Sequence, residues 1–149
     1  MSESRPRTAA HDPRRDGGGQ QVPGARLGLP ATGRGSVPGW GRRAAGLAVD
    51  WVVATLIGRA FLADALGRDF APLVVLVVMH WLLVSTIGTT IGHALAGTVV
   101  RRTDAPVPVG LARGAARAVL LALVIPAVVW DADRRGLHDK AAGTVVVRR

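Results

Sequence analysis

Two apolar stretches, over residues 44–62 and 70–87, constrain this chain more than any other feature of its sequence. They contain 19 and 18 residues, close to the ~20 that an α-helix needs to cross ~30 Å of hydrocarbon. The second stretch is rich in β-branched residues, but its length without polar alternation favours a spanning helix over a strand. Because only seven residues separate the two stretches, we predict an antiparallel pair of transmembrane helices.

Charge and hydrophobicity are segregated along the chain. Hydrophobic residues make up 49% of it, yet its formal net charge is +9. Residues 1–39 are rich in Gly, Pro and Arg and lack apolar periodicity, which predicts a disordered cytoplasmic arm. Residues 40–149 are predicted to form the membrane domain, with helices over about 44–62, 70–87 and 111–130. The chain has no cysteine, which excludes disulfides, thiol nucleophiles and cysteine zinc sites.

The third segment, residues 111–130, allows two interpretations. Its charge-free run after Arg117 is 13 residues, short for a span, but the segment reaches 20 residues if Arg113 and Arg117 extend towards the interface. A single crossing would place the basic C-terminal tail outside, whereas a helix broken at Pro126 that re-enters would keep the tail inside. We therefore predict an all-α integral membrane protein with two transmembrane helices, a third crossing or re-entrant helix and a short basic tail.

A short sequence near the middle of the chain recurs near its C-terminus. Ala-Gly-Thr-Val-Val-Arg-Arg at 96–102 returns nearly intact at 142–149. Both copies have the composition of short β segments. If the two copies pair, they must lie on the same side of the membrane; the alternative is a chance match in a chain rich in Val and Gly.

The distribution of arginine predicts the orientation. Arg42, Arg43, Arg101 and Arg102 flank the apolar stretches on one side, whereas the short connection on the other side contains Arg68. Cytoplasmic loops carry the excess of Lys and Arg in membrane proteins. We therefore predict a multi-pass protein of the cell membrane with a cytoplasmic N-terminus.

Besides Arg59 and Arg113, which lie near segment ends, the apolar segments contain or adjoin four ionisable side chains that are candidate site residues: Arg43, Asp50, His80 and Arg117. At 1.5 Å per helical residue, Asp50 lies roughly 10 Å from the cytoplasmic edge, His80 roughly 12 Å and Arg117 about 6 Å. Charge at such depth is costly and marks a candidate functional site. The three residues then form either a proton or cation site, or a structural clasp in which Asp50 neutralises Arg43 or Arg117.

Three motifs of the chain resemble those of the RDD family. The first is Arg-Ala-Ala-Gly-Leu-Ala-Val-Asp at 43–50, the second is Thr-Ile-Gly-His at 90–93, and the third is Arg-Gly-Leu-His-Asp-Lys at 135–140 followed by Ala-Ala-Gly-Thr-Val-Val-Val. In the second motif, His93 and Ile91 stand where the family usually has Lys and Pro. The matching positions in the second and third motifs are Thr90, Gly92, Gly97, His138, Asp139, Gly143 and Thr144.

The resemblance covers residues 40–149 and implies a small polytopic membrane protein. Transport of an unknown ligand or cation is the function that it suggests, with Asp50 as the intramembrane charge. The alternative is a non-catalytic membrane adaptor or assembly protein whose buried charges hold helices together.

Several other functions are not supported by the sequence. It contains no Gly-x-Ser-x-Gly, phosphate-loop or His-Glu-x-x-His motif, and its only glutamate is Glu3, so we predict no enzyme activity. No cofactor or metal site is predicted, because the acidic residues at 131–133 are followed by arginines that would pair with them. The arm has no aromatic residue before Trp40 to stack on bases, so no specific nucleic-acid partner is predicted.

The predicted partners are the lipid bilayer and either a second copy of the chain or another membrane protein. Two or three helices cannot enclose a pathway alone. Small residues let helices approach closely in lipid. The expected contact faces contain Ala44, Ala45 and Ala48 on the first helix and Gly114, Ala115 and Ala118 on the third.

Overall fold

The structure is a computed structural model that describes residues 22–105, 107–123 and 135–149. Most of these residues are helical. The first long helix comprises α1 (Trp40–Ile57), a π-helical turn (Gly58–Leu62) and α2 (Ala63–Leu66). The later elements are α3 (Phe70–Ile87), α4 (Ile91–Leu95), β1 (Thr98–Arg102), α5 (Leu111–Ala122), α6 (Leu137–Ala141) and β2 (Thr144–Arg148).

Two helices, Trp40–Leu66 and Phe70–Ile87, are long and apolar enough to cross a membrane. Only 22% of the apolar window of the first and 39% of that of the second are buried inside the protein, whereas the core helix of a soluble protein is mostly buried. The first helix starts at Trp40, four residues before the predicted start at residue 44. The prediction counted only the apolar stretch, whereas the helix also includes the Gly and Arg residues that precede it.

Small residues bring the two long helices together. A Cβ atom on Gly58 would lie 2.7 Å from the backbone of Ala71 and of Pro72, so only glycine fits there. On the other side of α3, a Cβ atom on Gly114 of α5 would overlap the Ser85 hydroxyl. Gly114 and Ala118 are both buried, so the predicted use of this face of α5 as an assembly contact is wrong.

The two copies of the repeated sequence form an antiparallel pair of strands, which is the first of the two alternatives that the repeat left open. Val100 lies opposite Val146, and Thr98 lies opposite Arg148. Each copy is a short helix, a glycine with positive φ and a strand, with φ of 63° at Gly97 and 62° at Gly143. Because equivalent residues of the two copies pair about Val100 and Val146, the unit has an approximate local two-fold symmetry. Val100 and Val146 form a small core with Val84 and Val109.

Part of the predicted disordered arm packs against the sheet. The Gly35 N–H donates to the Arg148 carbonyl, and the Arg148 N–H donates to the Ser36 carbonyl, both at 2.9 Å. Ser36 is 1% exposed. The prediction of disorder is therefore wrong for this part of residues 22–39, because the open edge of β2 offers backbone partners that composition does not reveal. Residues 1–21 lie outside the described part of the chain.

The third predicted helix is described only in its first part. Its α5 region begins at Leu111, as predicted, and ends at Ala122. The later part of the predicted 111–130 helix, with Pro126, lies outside the described residues, as do the acidic residues at 131–133.

Candidate functional site

Asp50 is completely buried where α1 crosses α4. Its Oδ1 accepts the Gly92 backbone N–H at 2.7 Å, and its Oδ2 accepts the Thr90 hydroxyl at 2.5 Å. The crossing is this close because both helices have glycine there: a Cβ atom on Gly92 would overlap the Gly46 carbonyl oxygen. The carboxylate is thus held at both oxygens, with Oδ2 directed towards the remaining side chains of the site.

Two histidines from separate elements face Asp50 Oδ2. Nε2 of His80, on α3, lies 3.2 Å from this oxygen, and Nδ1 of His93, on α4, lies 3.9 Å from it. The two ring centroids are 5.7 Å apart, with an angle of 63° between the planes. One ligand atom from each of Asp50, His80 and His93 lies within 4.8 Å of the other two. We call these three residues the Asp50 cluster.

The Asp50 cluster contains an unsatisfied group. His80 is 2% exposed, and neither of its ring nitrogens has a hydrogen-bond partner among the described residues. Its Nε2 lies 3.2 Å from Asp50 Oδ2, which is an ion-pair contact only when the ring is protonated. A buried polar atom without a partner is costly, and most such atoms in native proteins are bonded. The site can therefore accommodate an additional group that binds His80.

His93 is a neutral imidazole at physiological pH. Burial, together with the neighbouring Arg117 and His80, lowers its pKa to about 3, although Asp50 and Asp139 act in the opposite direction. Its Nδ1 lies 2.5 Å from the Thr90 hydroxyl, and its backbone N–H donates to the same oxygen at 3.2 Å. Thr90 thus caps α4 and joins His93 to the carboxylate of Asp50.

A second cluster surrounds Asp139, which is also completely buried. Arg117 Nε lies 2.8 Å from Oδ1, and Arg43 Nη1 lies 3.2 Å from Oδ2. The His138 Nε2 atom lies 3.5 Å from Oδ2, and the Thr144 hydroxyl is 3.3 Å from Oδ1. Burial alone would raise the pKa of Asp139, but Arg117, His138 and Arg43 hold it well below its ordinary value. We call these five residues the Asp139 cluster; they join α1, α5, α6 and the start of β2.

The predicted pairing of Asp50 with Arg43 or Arg117 is wrong. Both arginines bind Asp139 instead. The seven-residue spacing places Arg43 and Asp50 on similar sides of α1 but about 10 Å apart along its axis, and Asp139 reaches the arginine end of this helix. The structure does bring Asp50 and His80 together, as their similar depths predicted.

The residues of the family-type motifs divide between the two clusters. Thr90 and Gly92 bind Asp50, whereas His138 and Thr144 surround Asp139. Gly97 and Gly143 instead form the turns before β1 and β2.

Sequence reasoning missed His93 as a neighbour of Asp50. The sequence did indicate that His93 lies close to Thr90. The two residues are three positions apart, and a Thr that caps a helix lies beside the residue three positions later. Their distance from Asp50 along the chain hid the contact between α1 and α4.

Comparison of the chain with protein-family models, curated proteins and solved structures found no match.

Proposed function

We propose that this chain is an integral membrane protein of the RDD type that acts as a component in the transport of a small cation, which binds at Asp50. One observation carries the proposal: a completely buried carboxylate between two lipid-compatible helices is bound by neutral donors and faced by two histidines. An anionic group that is neutralised by no arginine among the described residues suits a positively charged solute.

Exposed apolar side chains support the membrane location. Leu56 and Phe61 on the first long helix are 66% and 81% exposed, and Phe70 and Leu82 on α3 are 69% and 45% exposed. Lipid would cover these side chains in a membrane. The excess of arginine near the sheet supports a cytoplasmic location of the sheet, α4 and the N-terminus by the positive-inside rule.

The pairing of β1 and β2 helps to distinguish the two interpretations of the third apolar segment, a single crossing and a re-entrant helix. Because β1 and β2 are hydrogen-bonded to each other, the connections on either side of residues 111–135 lie on the same side of the membrane. The Arg117–Asp139 contact at 2.8 Å also joins the start of this segment to the chain that follows it. Both contacts favour the re-entrant interpretation over a single crossing.

The two clusters support different roles. Both carboxylate oxygens of Asp139 are bound by arginines, so the Asp139 cluster is a structural clasp with no free negative charge. Among the described residues, Asp50 accepts hydrogen bonds from the neutral Thr90 hydroxyl and Gly92 N–H, and no arginine binds it. We therefore assign ligand binding to the Asp50 cluster and helix fixation to the Asp139 cluster.

Transport can be tested in proteoliposomes of the full chain. We expect uptake of a cation, from a panel of H⁺, Na⁺, K⁺ and divalent ions, that Asp50→Asn reduces at least about tenfold, because the amide removes the charge but keeps the shape. Asp64→Asn, at an exposed residue in the last turns of the first long helix, is the matched control and should transport normally. Uptake equal to that of empty liposomes for every ion, or full uptake by Asp50→Asn, would contradict the proposal.

The second candidate is an adaptor that positions another membrane protein. The Asp139 cluster favours it, because a carboxylate that is bound by two arginines provides rigidity and leaves neither oxygen free for a ligand. This candidate predicts no uptake of any ion, together with a membrane partner that co-purifies with both the wild-type chain and Asp50→Asn.

A further inference from the structure

We infer that the Asp50 cluster is a binding site for a divalent transition metal of the Zn²⁺ type, with Asp50, His80 and His93 as ligands. The inference rests on the proposed function and names the class of cation that the site takes.

The set of donor atoms selects the metal. Two imidazoles and one carboxylate suit Zn²⁺ and its neighbours Co²⁺ and Ni²⁺, whereas Mg²⁺ and Ca²⁺ prefer sites built of oxygen atoms. Three protein ligands plus one open position is the arrangement of exchangeable or catalytic zinc, in contrast to closed structural sites with four protein ligands. A transported ion needs a site of the first kind, because it must be released.

The spacing of the atoms fits such an ion. Zinc binds nitrogen and oxygen at about 2.0–2.2 Å, so neighbouring donors in a tetrahedral site lie about 3.3 Å apart. His80 Nε2 and Asp50 Oδ2 are already at this separation, 3.2 Å. His93 Nδ1 lies 3.9 Å from the same oxygen, and the three ligand atoms lie within 4.8 Å of one another. The His93 ring therefore has to move towards the other two ligands when the ion binds.

The unpartnered nitrogens of His80 are an independent indication of a ligand. This side chain is 2% exposed and nevertheless has no hydrogen-bond partner at either ring nitrogen within the described part of the chain. A metal ion at Nε2 would satisfy one of them and give a reason for placing an imidazole among apolar residues of α3.

Neighbouring backbone and hydroxyl groups orient the Asp50 carboxylate for metal binding. The Gly92 N–H fixes Asp50 Oδ1 at 2.7 Å and leaves Oδ2 towards the histidines. Such outer contacts orient metal ligands and tune their affinity. The Thr90 hydroxyl lies 2.5 Å from both Asp50 Oδ2 and His93 Nδ1. Metal binding would replace its hydrogen bond to His93 Nδ1 and leave the fourth coordination position to water.

Electrostatics and access are both compatible with a divalent cation. Arg117 is the nearby cation that would oppose binding, but its guanidinium is paired with Asp139 at 2.8 Å. His93 is the most accessible member, with 14% of its side chain exposed. The ion would therefore enter from the side of α4 and the sheet.

The test is metal binding by the tag-free, full-length protein in detergent after treatment with a chelator. Titration with ZnCl₂ alone, followed by calorimetry and by elemental analysis after dialysis, should give one ion per chain. Replacing Zn²⁺ by Co²⁺ should produce the visible absorption bands of a four-coordinate ion. We expect His80→Ala, His93→Ala and Asp50→Asn each to weaken Zn²⁺ binding at least about 100-fold.

Two further variants keep the test informative if a ligand variant fails to fold. His93→Cys keeps a zinc donor at the same position and should retain binding within about tenfold. His11→Ala, in the N-terminal arm, removes a histidine elsewhere and should bind as the wild type does. Absence of a stoichiometric site, or unchanged affinity in folded His80→Ala and His93→Ala, would overturn the inference.

Failure of the inference can be distinguished from failure of the proposed function. Asp50-dependent uptake of a monovalent ion without Zn²⁺ binding would refute the metal site and leave transport intact. Stoichiometric Zn²⁺ binding without uptake of any ion would refute transport and leave the metal site intact.

Discussion

Asp50 and Asp139 are the same residue type with the same complete burial, but their neighbours differ. Asp139 is bound by two arginines, and Asp50 by a hydroxyl and a backbone N–H. A buried charge that loses its partner is far more destabilising than a pair removed together. The Asp139 cluster is therefore expected to determine stability, and the Asp50 cluster to determine binding.

The first prediction separates the two roles with a double-mutant cycle. Asp139→Leu should lower the free energy of unfolding by about 3–5 kcal/mol, because it leaves Arg43 and Arg117 buried without their carboxylate. Adding Arg117→Leu should recover part of that loss. The control cycle, Asp50→Leu with Arg117→Leu, should be nearly additive, since these residues are not paired. Detergent-solubilised protein monitored by thermal or chemical unfolding provides the measurement.

The second prediction concerns pH. Because the folded-state pKa of Asp139 is held below its ordinary value of 3.8, its contribution to stability is present above pH 4 and is lost as the pH falls towards the folded-state pKa. Lowering the pH from 7 to 3 should remove about 1 kcal/mol that is attributable to this residue. Asp139→Asn should lack that part of the acid sensitivity in melting curves. Equal acid sensitivity of the two proteins would contradict the predicted pKa shift.

At the scale of elements, the crossing of α1 and α4 determines whether the Asp50 cluster can form. Gly46 and Gly92 allow the two backbones to touch, and this contact brings the Gly92 N–H to Asp50. The short α4 has no independent stability, because isolated helices of this length are not populated in water. Its position therefore depends on the crossing and on the sheet that follows it.

The third prediction tests this crossing. Gly92→Ala should destabilise the protein by at least about 2 kcal/mol and displace His93, because its Cβ atom overlaps the Gly46 carbonyl. Gly41→Ala is the matched control: no atom lies within 4 Å of its added Cβ, and alanine is favoured in helices. The measurements are the unfolding midpoint and metal affinity. If both variants behave alike, the backbone contact does not hold α4 in place.

At the scale of the whole molecule, the exposed surface of the long helices must be covered by lipid, by another chain or by both. The face of α5 that contains Gly114 and Ala118 is already used inside the protein, so assembly through it is excluded. Ala45 and Ala48 on α1 remain exposed. A close helix contact between chains is therefore expected on α1.

The fourth prediction follows from that difference between the two faces. Ala48→Phe should disperse an oligomer into monomers while leaving insertion and unfolding behaviour unchanged, because the added ring projects outwards. Ala118→Phe should instead destabilise the monomer, since Ala118 is 2% exposed. Crosslinking in membranes and size analysis in mild detergent would measure both effects. A wild-type protein that is monomeric in membranes would remove the need for a contact on α1.

The sequence was sufficient for features set by local pattern. Apolar length predicted the two long helices, and the repeat gave the pairing of β1 and β2 as one of two alternatives. Contacts between distant residues were not predicted. Arg43 and Asp139 are 96 positions apart, and the charges of the residues do not determine which arginine pairs with which aspartate. The docking of Ser36 on β2 was missed because composition reports the tendency of a segment to disorder and contains no information about a free strand edge.

The separation of Arg43 and Asp139 also has a consequence for biosynthesis. At 5–20 residues per second, the 96 positions between them take about 5–20 s to translate. During that interval the first long helix has been made, but the carboxylate that neutralises its arginine does not yet exist. With the proposed membrane location, the nascent chain has to keep Arg43 near water or anionic headgroups until Asp139 has been made, and α1 is expected to reach its final depth only then. Membrane integration of this protein is expected to finish late in synthesis, in a single step that joins its two halves.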